Sequence, residues 1–290
     1  MKKSIILTYT LFLSLTLSTW AQDKNIQKYQ EVLASIEQAT QKGIYNPRLL
    51  KGKYWKTFLT NLKADIAQGK IKTDKDMMQA FIKHRKNFPF THYYIYKKSK
   101  RSEESRAGKV SKQKLMYLKE KSPQTAYLRV KSFNGTATEV DDIFDKIFAK
   151  KYQNLIIDLR GTPGGTVESG LQLASYLFPK EVDGGIFLTR RWYAQNANPP
   201  AAKDYSKYPY FSKASFKLML KYYQTKAAFN LKLIPNKRIY KGKIYVLTND
   251  GTGSTCEPIV WGLKKNKLAT IVGGTTAGAM LSGYGFNIAH

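Results

Sequence analysis

The sequence predicts an α/β layered domain preceded by a small helical unit, and three observations carry that reading. From Thr125 onward, short apolar runs alternate with stretches of helical period, the pattern that builds helix-covered sheets. Residues 24 to 88 instead keep apolar side chains at helical spacing, with no strand-like alternation. Two glycine-rich turns, at 161–165 and 251–253, each follow an apolar run and open a helical pattern.

The chain begins Met1-Lys2-Lys3, runs apolar from Ile5 to Leu17 and reaches Thr19-Trp20-Ala21 before Gln22. A short basic start, an apolar core too short to span a bilayer and small residues at the −3 and −1 positions read as a secretory signal over residues 1–21. Cleavage near Ala21 would export the protein to the periplasm or the cell surface. Cys256 is the sole cysteine, so no internal disulfide can form and the core must stabilise the fold. The formal charge is +29, and +27 once Lys2 and Lys3 leave with the signal. Such a field favours acidic partners and electrostatic contact with an anionic envelope surface. The lysines are spread along the chain without a dense patch, so nucleic acid is not an expected partner.

Residues 22–96 form the helical unit. Ile26, Tyr29, Leu33 and Ile36 share one helix face, as do Trp55, Phe58, Leu62 and Ile66. Thr73 with Asp76 three residues on forms a capping-box pattern before Met77 and Phe81, and Pro89 ends the helical pattern. Phe90 to Tyr96 alternates as a strand, with Phe90, His92, Tyr94 and Tyr96 on one face. Residues 97–124, rich in Lys, Ser and Glu, read as a basic solvated connector. Residues 125–290 make up the main domain: strands at 126–133, 155–159, 185–193, 244–247 and 269–272, with helices around Val140–Phe148, Val167–Phe178 and Ile259–Leu263. Residues 194–240 read as an irregular Tyr- and Pro-rich insertion with one helix near Phe216 to Tyr223.

Two turns could carry chemistry. Asp158-Leu159-Arg160-Gly161-Thr162-Pro163-Gly164-Gly165 lets backbone approach a ligand and present N–H groups. It lacks the Gly-Lys-Ser/Thr ending of a phosphate loop and the glycine spacing of a dinucleotide site. In the second turn, Ser254 sits where strand gives way to helix, near free amides and a positive dipole end. That suits a nucleophile whose attack creates an oxyanion, although a serine there commonly serves only as a cap. Cys256 reads as a small packed residue. His84 looks like surface, His92 is either a structural residue or a general base, and metal-ligand spacing and cofactor motifs are absent.

Asp158 to Gly165 resembles the Asp-Leu-Arg-x-x-x-Gly-Gly signature of the carboxyl-terminal processing (tail-specific) serine peptidases. Ser254-Thr255-Cys256-Glu257 is similar to that family's Ser-x-x-Glu nucleophile segment, and Ala269 to Gly278 resembles the strand and turn that follow it. The blocks stand in family order, over roughly residues 80 to 290. The resemblance implies a ClpP/crotonase-like β-β-α spiral core behind the helical unit. One branch of the family uses a Ser-Lys dyad, but Ala279 occupies the lysine's place. The tricorn-like and interphotoreceptor-retinoid-binding-like branch uses Ser, His and Glu, which implies Ser254 as nucleophile and His92 as base. The implied oxyanion hole is the Thr255 amide with that of Gly164 or Gly165, and Glu257 is implied to be structural. The orienting Glu of that branch lies beyond a further β-rich segment, and the sequence ends at His290 ahead of it, so a fragment or C-terminally truncated member is expected. The implied function is an exported serine endopeptidase acting on proteins or peptides by acyl-enzyme chemistry. A weakened or inactive relative binding peptides or apolar ligands is the alternative, and a crotonase-type acyl enzyme is a third reading.

Overall fold

The computed structural model describes residues 4–97, 114–213, 215–280, 283 and 285–289, with side chains from Asp23 onward except that of Phe216. The chain divides into two compact units, residues 1–106 with 283–290, and residues 107–282.

The first unit is helical: α1 (Ser4–Gly43), α2 (Lys53–Ala67) and α3 (Asp74–His84), with a 3-10 turn at Pro47–Lys51. The helix faces read from the sequence are the buried ones. Tyr29, Leu33 and Ile36 of α1 meet Trp55, Phe58, Leu62 and Ile66 of α2 and Met77 and Phe81 of α3 in one core. Phe58 is fully buried, its ring 5.2 Å from that of Phe81 and 5.0 Å from that of Phe88. Burying an aromatic of that size contributes roughly 1.5–3 kcal/mol. Thr73 and Asp76 form the expected capping box at the start of α3, satisfying two otherwise orphaned amides. None of the helices is long and apolar enough to cross a membrane, among the described residues.

The strand expected over Phe90–Tyr96 does not form. The backbone there pairs with no strand, and His92 takes a left-handed φ of 60° that breaks an extended run. The inward side chains have the opposite parity to the expected face. Tyr93 and Ile95 pack on the helical core, while Tyr94 and Tyr96 are exposed. Hydrophobic packing of these residues onto helices outweighs their strand propensity.

The second unit is a mixed α/β domain. Its main sheet has the order β1-β2-β3-β7-β8, formed by Met116–Ser122, Thr125–Val130, Asn154–Asp158, Lys243–Thr248 and Thr270–Gly273. β1 runs antiparallel to β2, and the remaining pairs are parallel. Helix α4 (Ala137–Lys150) links β2 to β3, α5 (Val167–Ser175) follows β3, and α8 (Cys256–Lys265) links β7 to β8. Alternate strand residues (Leu128, Leu155, Ile157, Val246) join Phe144, Ile147, Ile259 and Leu263 of the helices in one core.

Strands enter the main sheet in chain order without reversal. The sheet therefore lacks the switch point of a doubly wound fold, in agreement with the expected spiral type of core. Between β3 and β7 the chain leaves to build a second sheet, ordered β4-β6-β5 from Val182–Leu188, Ala228–Leu233 and Tyr210–Phe211.

Three local readings need correction. The expected connector over 97–124 contains strand β1; residues 98–113 lie outside the described residues. The insertion read as irregular carries β5 and β6 besides helix α7 (Phe216–Thr225), because Phe229 of β6 stacks on Phe187 of β4 at 5.2 Å. The strand expected to reach Tyr193 stops at Leu188, where the Thr189 hydroxyl caps a short helix α6 (Arg190–Gln195).

Candidate active site

The turn after β3 is braced from its root. Asp158 is 3% exposed. Its Oδ1 accepts bonds from the Arg160 amide (3.0 Å) and Nε (2.9 Å), and its Oδ2 from Arg160 Nη2 (2.8 Å) and the Tyr127 hydroxyl (2.5 Å). Burial opposes ionisation of this carboxyl, but the bonds from Arg160 and Tyr127 outweigh it and hold the group at about 2. Arg129 donates to the carbonyls of Asp158 (2.8 Å) and Arg160 (2.7 Å), so the turn is fixed against the neighbouring strand.

The two glycine-rich turns are stitched together. Asn249 Oδ1 accepts the Gly161 amide at 2.7 Å, and the Thr252 hydroxyl donates to the Leu159 carbonyl at 2.9 Å. The Gly253 amide reaches the Thr162 carbonyl at 3.0 Å, and the Thr255 hydroxyl reaches the Gly165 carbonyl at 2.7 Å. Gly164 (φ 97°) then lies directly against the Ser254 segment. A Cβ on it would stand 2.6 Å from Ser254 Cβ and 3.0 Å from the Thr255 nitrogen. Only glycine permits that approach.

Ser254 has a left-handed backbone, φ 54°, which costs a non-glycine residue roughly 1–2 kcal/mol. This geometry settles what its hydroxyl is not doing. In the capping boxes at Thr73/Asp76 and Thr136/Glu139, the hydroxyl accepts the amide three residues on while the carboxylate returns to the threonine amide. Ser254 and Glu257 have the same spacing, yet only half the box forms. Glu257 Oε2 accepts the Ser254 amide at 3.0 Å, whereas the Glu257 amide goes to the Ser254 carbonyl at 2.9 Å. Among the described residues, no hydrogen bond engages the Ser254 hydroxyl. Thr255 precedes α8 without a side-chain cap of its own.

The Gly165 and Thr255 amides have no protein acceptor among the described residues; Thr255 follows Ser254 in the chain, and its hydroxyl ties it to Gly165. The Gly164 amide faces the Cys256 thiol instead. Burial pushes that thiol up to about 12, against the pull of the Gly253 and Gly164 amides, and its sulfur lies 3.5 Å from the Thr162 carbonyl. A buried thiol of that kind is a poor nucleophile.

Glu257 is 6% exposed and accepts three backbone amides. Besides the Ser254 amide, its Oε2 accepts the Ala279 amide at 2.6 Å and its Oε1 the Gly278 amide at 2.7 Å. The turn after β8 is thereby tied to the Ser254 segment, and Ala279 Cβ lies 4.0 Å from where a Cβ on Gly253 would stand. The sequence shows Glu257 only as a helix-start acid; amides more than twenty residues downstream carry no side-chain signal of this bond. His92 belongs to the helical unit, where its Nδ1 lies 3.0 Å from the Thr91 hydroxyl. His84 is not a bare surface residue, since its Nε2 meets Asp65 Oδ2 at 2.7 Å and its side chain is 10% exposed. No group of three or more His, Cys, Asp or Glu side chains is arranged to hold a metal, among the described residues.

The family pattern of peptidase family S41 matches residues 124–287, which include both turns, Ser254, Glu257 and Ala279. The chain belongs to peptidase family S41. None of the curated proteins matches it. Among solved structures, a lipoprotein from Streptococcus agalactiae is similar in fold at 15% identity, with a TM-score of 0.50 over 89% of this chain and 80% of that one. The photosystem II D1 C-terminal processing protease matches at 20% identity and a TM-score of 0.37, over 53% of this chain and 31% of that one. Mature CPAF complexed with lactacystin matches at 22% identity and a TM-score of 0.37, over 57% of this chain and 40% of that one. The S41 chain thus spans well under half of the two named proteases.

Proposed function

We propose that this S41 chain is an exported serine endopeptidase that cleaves proteins or peptides through an acyl-enzyme, with Ser254 as nucleophile. The observation that carries the reading is the Ser254 hydroxyl. It stands outside the capping bond its spacing to Glu257 predicts, and the Thr255 and Gly165 amides, joined through the Thr255 hydroxyl, have no protein acceptor among the described residues. In the first step, the Ser254 oxygen attacks the scissile carbonyl carbon and a base takes its proton. The negative charge that develops on the carbonyl oxygen is met by the Gly165 and Thr255 amides. The intermediate collapses as the proton passes to the leaving amine, and water then releases the acyl group by the same route. The base is assigned to His92 from its position in the sequence. Export is supported by the basic-apolar start of the chain, and contact with an anionic envelope surface by the charge of +29.

The test is turnover of a loosely folded protein substrate. Wild type generates new peptide amino termini and Ser254→Ala generates none. Equal turnover by the two would remove Ser254 from the reaction.

A further inference from the structure

We infer that Glu257 is a positioning residue. Its carboxylate keeps Ser254 in the left-handed conformation that releases the hydroxyl from capping, and it couples this conformation to the turn at Gly278–Ala279. This rests on the reading of Ser254 as nucleophile.

The Ser-x-x-Glu spacing by itself favours a full capping box, and among the described residues that box forms where the pattern heads α3 and α4. In those boxes Thr73 and Thr136 have ordinary extended backbones, with φ of −134° and −97°. At Ser254 the φ is 54°, and a left-handed serine persists only where its surroundings over-determine it. Glu257 is the side chain placed to do so. A single carboxylate accepts amides from Ser254, Gly278 and Ala279 at 2.6 to 3.0 Å. These bonds to an ionised acceptor are about twice as strong as neutral ones, and the group is buried, so water cannot replace them. Removing the carboxylate leaves the left-handed strain without compensation and the Ser254 amide without an acceptor. The alternative open to the segment is the ordinary box, in which the hydroxyl turns to the amide of residue 257. In that state the nucleophile is a cap.

The clamp has a second consequence. Because Ala279 and Ser254 share Oε2, displacement of the 278–279 turn loosens the nucleophile too.

The experiment compares wild type, Glu257→Ala and Glu257→Gln by two readouts. The first is the backbone coupling constant at Ser254, which reports φ whether or not the chain is active. Wild type should show the left-handed value and Glu257→Ala an ordinary negative φ; a left-handed Ser254 in folded Glu257→Ala overturns the inference. The second is the rate of fluorophosphonate labelling per folded molecule. It should fall by up to roughly 100-fold in Glu257→Ala, the cost of misplacing a reacting group by about 1 Å, and recover in part in Glu257→Gln, which keeps one oxygen acceptor. A residue that only stabilised the fold would lower the melting temperature and leave the labelling rate of folded molecules unchanged, and that result too would overturn the inference. An unlabelled wild type with a left-handed Ser254 would instead count against the peptidase reading and leave the clamp supported by the first readout.

Discussion

Gly164 and Ser254 come from turns ninety residues apart, yet a single methyl on Gly164 would stand 2.6 Å from Ser254 Cβ. The contact explains why the turn after β3 must carry glycine there, and it makes Gly164→Ala a sharp probe. The variant meets both a φ of 97° and the nucleophile backbone, so it should lose about 3 kcal/mol of stability. Its labelling at Ser254 should fall by more than about 100-fold, because a displacement of about 1 Å at a reacting group costs that much. Gly161→Ala provides the comparison. Its φ of 65° strains it as well, but nothing lies within 4 Å of its Cβ, so stability should fall without a comparable loss of labelling. Denaturant unfolding and labelling kinetics on both variants check this.

Acid stability should depend on Asp158. Its folded-state value is about 2, below the ordinary carboxyl value of 3.8. The group therefore adds stability that is fully present above about pH 5 and is lost as the pH falls toward 2. Asp158→Asn should be less stable than wild type at pH 7 by roughly 1–3 kcal/mol, since Asp158 is buried while its Arg160 partner is half-exposed. The gap should narrow by pH 3. Other carboxyls also sit low, including Asp74 beside Lys28 and Lys97, so the informative quantity is the difference between variant and wild type at each pH, measured by urea unfolding.

Cys256 should be silent in the native protein. With its side chain fully buried and its thiol raised to about 12, alkylation by iodoacetamide at pH 8 must await opening of the fold. The native rate should be at least about 1,000-fold below the rate in denaturant. Alkylation of the folded protein at the rate of a free thiol would contradict the burial.

The two described histidines should separate cleanly. His84 is paired with Asp65, so His84→Ala should cost the helical unit about 1–3 kcal/mol and leave labelling of the folded protein unchanged. If His92 is the base as proposed, His92→Ala should lower labelling by roughly 10⁴- to 10⁶-fold. Thermal unfolding and labelling rates on the two variants read both effects.

Much of this fold can be read from sequence wherever local pattern and tertiary packing agree. α2 and α3 announce themselves through Trp55, Phe58, Leu62 and Ile66, and through the Thr73 box, because the apolar stripe that favours the helix is the face it buries. β1 is hidden because an edge strand covered on one side needs few apolar residues, and Lys119, Glu120 and Lys121 read as connector. β6 is hidden because Asn230 and Lys232 interrupt it, while the evidence for it is a stack onto Phe187 more than forty residues earlier. Phe90 to Tyr96 errs in the other direction, since its aromatics satisfy a strand pattern but pack on helices. In the site, the Asp-Leu-Arg and Ser-x-x-Glu motifs are visible as words. The hydrogen bonds that join them to each other and to Gly278–Ala279 form only in the folded chain and leave no mark in the sequence.

The most direct measurement is intact-mass and peptide-level analysis of the folded protein after exposure to a fluorophosphonate probe. A single adduct is expected, on the peptide containing Ser254, and none in Ser254→Ala. An unmodified wild type, or an adduct that survives in Ser254→Ala, would contradict Ser254 as the nucleophile.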